Sequence, residues 1–291
     1  MKQEYPPRRK PSLSVAVPAS LVSDVPHLRE KTLKIGLVGR ALAMFRVDEA
    51  TIFPDIHGKS QARDIELIST ILSYMETPQY LRKQLFKIRP ELQYCGILPP
   101  LRTPHHPLQN KMKDLRAGEY REGVVISANR KGALIDIGVE HPINVPNADA
   151  AAGTRITVQV NKKQQRFEAE IISPDSVPYY WGYKVKTAKA SFGNMVRQNQ
   201  YDLVIATSRL GEGFQQVANR LRDKWEASKR VLVAFGAPSR GLHEIVKQEG
   251  LELSELTDFI VNTMPKQATG TIRTEEALYA TLAILNLLMP G

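Results

Sequence analysis

The feature that most constrains this chain is a change of period in its middle. Before about residue 107 and after about residue 175, apolar residues recur in helical stripes separated by short apolar runs; between those positions the helical period disappears. In the first stretch, residues 13–17 read as a buried strand. Residues 28–45 read as a helix in which Leu33, Leu37, Ala41 and Phe45 recur every fourth position and predict one buried stripe. A strand at 50–53 follows, then a helix carrying Ile65, Ile68, Ile71, Leu72 and Met75. A short third helix runs to about Leu85, with Thr77 as N-cap and Pro78 at its first position.

From 107 to 174 short runs at 124–126, 134–137, 156–160 and 167–172 alternate with polar connections at 129–132 and 161–165 that suit hairpin turns. An all-β module of roughly five strands is expected, in the form of an OB-like barrel. The α/β pattern then resumes, with strands at 202–206, 231–235 and 259–261 and helices at 215–225 and 274–289. The fold class is therefore α/β with a largely parallel sheet. Its domain, residues 12–106 and 176–291, is interrupted by an inserted barrel at 107–175.

Charge narrows the partners. Forty Lys and Arg against thirty Asp and Glu give +10 at pH 7, which points to a polyanion such as RNA, with a solubilising excess as the plain alternative. Cys95 is the only cysteine, so an intramolecular disulfide and a site of several thiolates are both excluded and a reducing compartment is expected. No apolar run approaches the roughly 20 residues of a membrane span, and Arg8, Arg9 and Lys10 stand where a signal peptide would need an apolar core. The expectation is a cytoplasmic protein without membrane or metal partners. Only His105 and His106 cluster, in a proline-flanked segment that reads as a loop or an RNA contact.

Each late strand runs into a stretch of small or polar residues: Thr207 to Gly213, Gly236 to Gly241, and Asn262 to Gly270. Ligands of open α/β sheets bind at the carboxyl ends of strands, where loop amides and carbonyls are not consumed by the ladder. Gly236, Ala237, Gly241 and Gly270 allow close backbone approach, and Pro238 and Pro265 stiffen the loops. There is no P-loop, no GxGxxG opening a helix after a strand and no nucleophile elbow.

The segments GILPPLRTPHHP (96–107), WGY (181–183), ATS (206–208), FGAPSRGL (235–242) and VNTMPKQATGTIRTEEA (261–277) resemble those of the archaeal and eukaryotic RNA uridine-N3 methyltransferases, SPOUT proteins with an OB-like insertion. The resemblance covers nearly the whole chain after about Leu13. It implies a C-terminal trefoil knot, S-adenosyl-L-methionine bound by the knot loops, and a homodimer with its sites near the interface. Carried over position by position, the cofactor contacts are Thr207 and Ser208 in the first loop and Gly236, Gly241 and Leu242 in the second. In the third they are Asn262, Thr263, Met264, Gln267, Gly270, Thr271 and Ile272. Leu242, Met264 and Ile272 would supply aliphatic cover for adenine. Lys266 and Ala268 depart from the family pattern, standing where a glycine and a more polar residue are expected.

Arg209 and Arg273 are the candidates for contacting RNA or orienting the target base, with a bridge from Arg273 to Glu276 as the structural alternative. Glu275 joins them in the candidate catalytic set, although Glu275 and Glu276 also suit the first helical turn as acids favoured by its dipole. In the insertion Arg121, Arg130, Lys131, Lys162 and Lys163 suit phosphate contacts, whereas aromatics are few, chiefly Tyr120 and Phe167. The last helix is apolar around most of its circumference, which suits burial both in the core and against a second subunit. The function expected is S-adenosylmethionine-dependent methylation of a uridine base at N3 in structured, ribosomal RNA. The alternative is a non-catalytic RNA-binding or ribosome-assembly protein working through the basic insertion.

Overall fold

A computed structural model describes residues 5–130, 132–146, 148, 150–163 and 166–288. Along the chain the first elements are β1 (Ser12–Pro18), α1 (Leu28–Met44), β2 (Glu49–Phe53), α2 (Ala62–Glu76) and α3 (Gln79–Leu85). Five strands follow: β3 (Tyr120–Asn129), β4 (Gly132–Asp136), β5 (Ile143–Pro146), β6 (Arg155–Lys163) and β7 (Arg166–Ile172). The remainder is β8 (Lys184–Thr187), α4 (Phe192–Gln198), β9 (Leu203–Gly213), α5 (Phe214–Ala227), β10 (Arg230–Ala234), α6 (Leu242–Lys247), β11 (Phe259–Asn262) and α7 (Thr274–Leu288). Two compact units result. One comprises the described residues of Met1–Pro7, Tyr74–Pro90 and Leu101–Gly182; the other comprises those of Arg8–Ser73, Glu91–Pro100 and Tyr183–Gly291.

The second unit is built on a six-stranded sheet in the order β11-β9-β10-β1-β2-β8, every pair parallel. Its central strands are covered on both faces, which is why residues 13–17 read as a continuous apolar run rather than an alternation: all five are buried. The helix α1 forms where expected but buries a different face. Ile35, Val38, Ala41 and Leu42 are inside together with Gly36 and Gly39, whereas Leu33 and Leu37 of the expected stripe are 48% and 39% exposed. A Cβ built on Gly36 would stand 2.9 Å from Leu98 Cδ2, so the helix packs tightly at Gly36. β8, α4 and α6 had no clear signature, because four to seven residues hold too few turns or alternations to display a period.

β9 extends further than the five residues expected. It pairs with β11 as Ile260↔Ala206 and then Val261↔Glu212, so residues 207–211 bulge out of the ladder. The backbones touch there: a Cβ on Gly211 would meet the Ile260 carbonyl oxygen at 2.5 Å.

In the other unit the strands close into a barrel, β3-β4-β5-β7-β6, around Val125, Ala133, Ile135, Ile143, Val145, Val158 and Val160. The mixed α/β class with a parallel sheet and a small closed β-barrel is as expected. β5 has only four residues, too short to stand out in the sequence. Pro78 rather than Thr77 occupies the N-cap of α3.

His105 and His106 lie in a loop, as expected, and their rings turn inward, His105 fully buried and His106 half-buried. Their Nε2 atoms lie 2.8 and 2.6 Å from the carbonyl oxygen of Glu76, so the last carbonyl of α2, buried and without an intrahelical partner, is capped by two imidazole N–H groups. The Glu76 carboxylate meets Arg155 Nη1 at 2.6 Å and His105 Nε2 at 3.0 Å. Arg155 also pairs with Glu122 at 2.6 Å, and Glu122 accepts from Thr157 Oγ1 at 2.7 Å and Trp181 Nε1 at 2.5 Å. Gly182, at φ +90°, has no room for a side chain, since its Cβ would lie 2.5 Å from His105 Cε1. The HHP and WGY segments thus build one buried polar network. Among the described residues no helix is long and apolar enough to cross a membrane.

Candidate active site

The carboxyl ends of β9, β10 and β11 enclose a cavity of about 270 Å³. Its walls are the β9 bulge, the turn after β10, the long connection after β11, and Thr274, Ala277 and Thr281 of α7. Hydrogen bonds tie these walls together. Thr207 Oγ1 donates to the Ala234 carbonyl at 2.9 Å, joining β9 to β10. Asn262 Nδ2 donates to the Arg209 carbonyl at 3.0 Å, and Arg209 Nη1 donates to the Gly270 carbonyl at 3.0 Å. Thr274 Oγ1 donates to the Gly236 carbonyl at 2.9 Å, while Thr263 and Thr281 share a 2.9 Å bond.

The turn after β10 is the tightest wall. Ala237 N–H donates to the Arg240 carbonyl at 2.8 Å, and Arg240 N–H returns the bond at 3.3 Å. A Cβ on Gly236 would lie 3.1 Å from both Arg240 O and Gly241 Cα, so this position needs glycine for space. Arg240 lines the cavity, and its Nη2 donates to Asp55 Oδ2 at 3.0 Å. Asp55 is wholly buried and also accepts from the Ser20 amide and Gln61 Nε2, both at 2.9 Å. A saturated buried carboxylate thereby fixes the arginine. Arg240 was not among the sequence candidates: it sits within FGAPSRGL, but nothing linear connects it to Asp55, which follows β2.

Of the twelve residues expected to hold the cofactor, all but Leu242 line this cavity. Leu242 opens α6 and is buried in the core beside Ala16, Phe53 and Ile245. Of the three catalytic candidates only Arg209 is at the cavity. Arg273 is exposed, its amide donating to Glu276 Oε2 at 2.9 Å, and it is not a lining residue. Glu275 is buried with its carboxylate 3.3 Å from Lys34 of α1, which also holds Asp24 at 2.6 Å. Glu275 thus forms an ion pair between two helices.

In the barrel unit Arg130, Lys162 and Lys163 are exposed, with Lys162 Nζ 5.9 Å from the Phe167 ring centre. Lys131 lies outside the described residues. Arg121 is not available to phosphate: it is wholly buried, with Nε donating to Glu119 at 2.7 Å and Nη1 to the Gln109 carbonyl at 2.9 Å. No group of three or more potential metal ligands occurs among the described residues.

The family described as "Putative RNA methyltransferase" matches residues 12–285. An uncharacterised protein of Haloarcula marismortui is 34% identical, covering 94% of this chain and 98% of the relative. A mouse protein named 28S rRNA (uridine-N(3))-methyltransferase is 33% identical over 94% of this chain and 76% of its own length. The human protein of that name is 31% identical over 94% and 77%.

Proposed function

We propose, from the premise that this chain belongs to that RNA methyltransferase family and is itself an RNA methyltransferase, that it binds S-adenosylmethionine in the three-loop cavity and methylates N3 of a uridine in ribosomal RNA. The observation that carries the reading is the convergence of three separate small-residue segments on one cavity, in an enzyme whose named relatives act on uridine N3.

The residues present suit that cofactor. Gly236 lets the turn close on itself at the cavity wall, since a Cβ there would press on Arg240 O and Gly241 Cα, and Met264, Ile272 and Ala277 line the cavity with aliphatic groups that would cover an adenine. When bound, S-adenosylmethionine supplies an electrophilic methyl group on a cationic sulfur. Uridine N3 would give up its proton to solvent water and bond to the methyl carbon as the sulfur–methyl bond breaks. Arg209, steered by its bond to the Gly270 carbonyl, puts fixed positive charge beside the cavity and lowers the free energy of the uracil anion. No strong base is needed if the anion is stabilised in this way.

The same reading makes the C-terminal region a SPOUT knot and the protein a homodimer. Support for the dimer comes from α1, whose Leu33, Leu37 and Met44 are exposed at 48%, 39% and 53%. The test of the reaction is to incubate the protein with ribosomal RNA and methyl-labelled S-adenosylmethionine, then digest the RNA and separate its nucleosides by mass spectrometry. Label in 3-methyluridine is expected. Label in another nucleoside would replace the acceptor, and label taken from a different methyl donor only would replace the cofactor.

A further inference from the structure

Tyr5, Tyr120, Tyr179 and Trp181 come from three separate stretches of the chain, yet their rings form one continuous row on the barrel unit. Trp181 lies 5.7 Å from Tyr179 and 6.3 Å from Tyr120, Tyr120 lies 5.8 Å from Tyr179, and Tyr5 lies 4.6 Å from Tyr179 at an interplanar angle of 34°. The row is graded. Trp181 is buried and locked by its bond to Glu122, Tyr120 and Tyr179 are half-buried, and Tyr5 at the outer end is 36% exposed. Backbone pairing holds the outer end in place, because Pro7 bridges Tyr179 and the Tyr180 amide donates to the Pro6 carbonyl at 2.9 Å.

The barrel surface beside this row has a directed charge pattern. Tyr120 stands opposite Gln159 on β6, so the same face of β6 continues through Asn161 to Lys163, and Lys163 stands opposite Arg166 on β7. Four residues of strand put this exposed cation pair about 13 Å from Gln159. Between them Glu168 and Glu170 face Asn161 and Gln159. That surface repels phosphate near the rings and attracts it at the far end, which suits a strand laid with a base on the tyrosines and its backbone at the cations.

We propose that Tyr5 and Tyr179 form a stacking platform for an unpaired base of the RNA substrate, with Lys163 and Arg166 holding a nearby phosphate. The inference rests on the reading that this protein acts on RNA. Base stacking on aromatic rings tolerates any base but requires an unstacked one, so the platform would select single-stranded or splayed segments over duplex.

The experiment uses the full chain, a short unstructured RNA bearing 2-aminopurine, and a blunt duplex of the same length, titrated at several salt concentrations. The wild type should quench 2-aminopurine fluorescence and prefer the single strand. Tyr5→Ala and Tyr179→Ala should each weaken single-strand binding by about 5- to 150-fold, the range for loss of one stacked base. Both should also lose the quenching and leave the slope of log affinity against log salt unchanged. Tyr179→Phe should restore affinity and quenching, since it keeps the ring; this variant also guards against an alanine variant that merely fails to fold. Lys163→Ala should instead make the slope shallower by about 0.7 while keeping the quenching. If the wild type binds RNA but the alanine variants bind and quench like it, the platform is overturned and the RNA reading stands. A salt slope that falls in the tyrosine variants would also overturn it, by showing that the rings only support a phosphate-binding surface. Absence of any RNA binding by the wild type would overturn both.

Discussion

Gly236 is the residue at which a single methyl group should decide binding. The turn it enters is closed on itself by the paired amides of Ala237 and Arg240 and tied to α7 through Thr274, so a Cβ arriving 3.1 Å from two backbone atoms has no flexible neighbour to displace. Gly236→Val should lower the affinity for S-adenosylmethionine or its demethylated product at least tenfold while the protein still melts cooperatively. Calorimetry showing wild-type affinity in a folded Gly236→Val protein would move the cofactor out of this cavity. Lys266, in the neighbouring loop, is one of the described non-glycine residues at positive φ, 59°. A left-handed conformation costs an ordinary residue about 1 kcal/mol, so Lys266→Gly should relieve local backbone strain in this loop.

At the scale of elements, the end of α2 makes the barrel unit sensitive to acid. Burial would raise the Glu76 carboxyl, but the charge of Arg155 and its contacts with His105 outweigh this and hold it at about 2. Its stabilisation is complete above its ordinary value of 4.5 and disappears as pH falls toward 2. His106 is driven down from 6.5 to about 3, first by burial and then by the neighbouring His105. The unfolded chain therefore takes up a proton below about pH 6.5 that the folded chain refuses, and stability falls from there to about pH 3. At about 1.4 kcal/mol per pKa unit, each group contributes a few kcal/mol. Urea titrations from pH 7 to pH 4 should show steady destabilisation of wild type, with a smaller pH dependence in His106→Gln. Parallel curves for the two proteins would refute the assignment to His106.

Among the described residues, the single chain leaves an apolar surface exposed. Leu33, Leu37 and Met44 share the outer face of α1 at helical spacing, and Leu287 of α7 is 80% exposed. Leu282 and Leu285, by contrast, are 1% and 2% exposed within the single chain, so charge there should unfold the protein rather than separate subunits. In the proposed homodimer Leu37→Glu or Met44→Glu should give a folded monomer with reduced methylation. Sedimentation of a wild-type monomer at micromolar concentration would remove the dimer.

Periodicity and punctuation by themselves determined the α/β class, the parallel sheet, the all-β character of residues 107–174 and the three loops at the carboxyl ends of β9, β10 and β11. Those properties follow from patterns a few residues long, in which burial on one or both faces of an element leaves a local trace. Assembly of the pieces decided the rest. Leu33 and Leu37 lie outside because α1 buries the side bearing Ile35, Val38, Ala41 and Leu42. Glu275 was taken by Lys34, His105 and His106 by the carbonyl of Glu76, and Arg240 by Asp55, 185 residues away in the chain. A charged or polar side chain acts on whichever group the fold brings within about 3 Å, and that neighbour belongs to an element whose position no local pattern encodes.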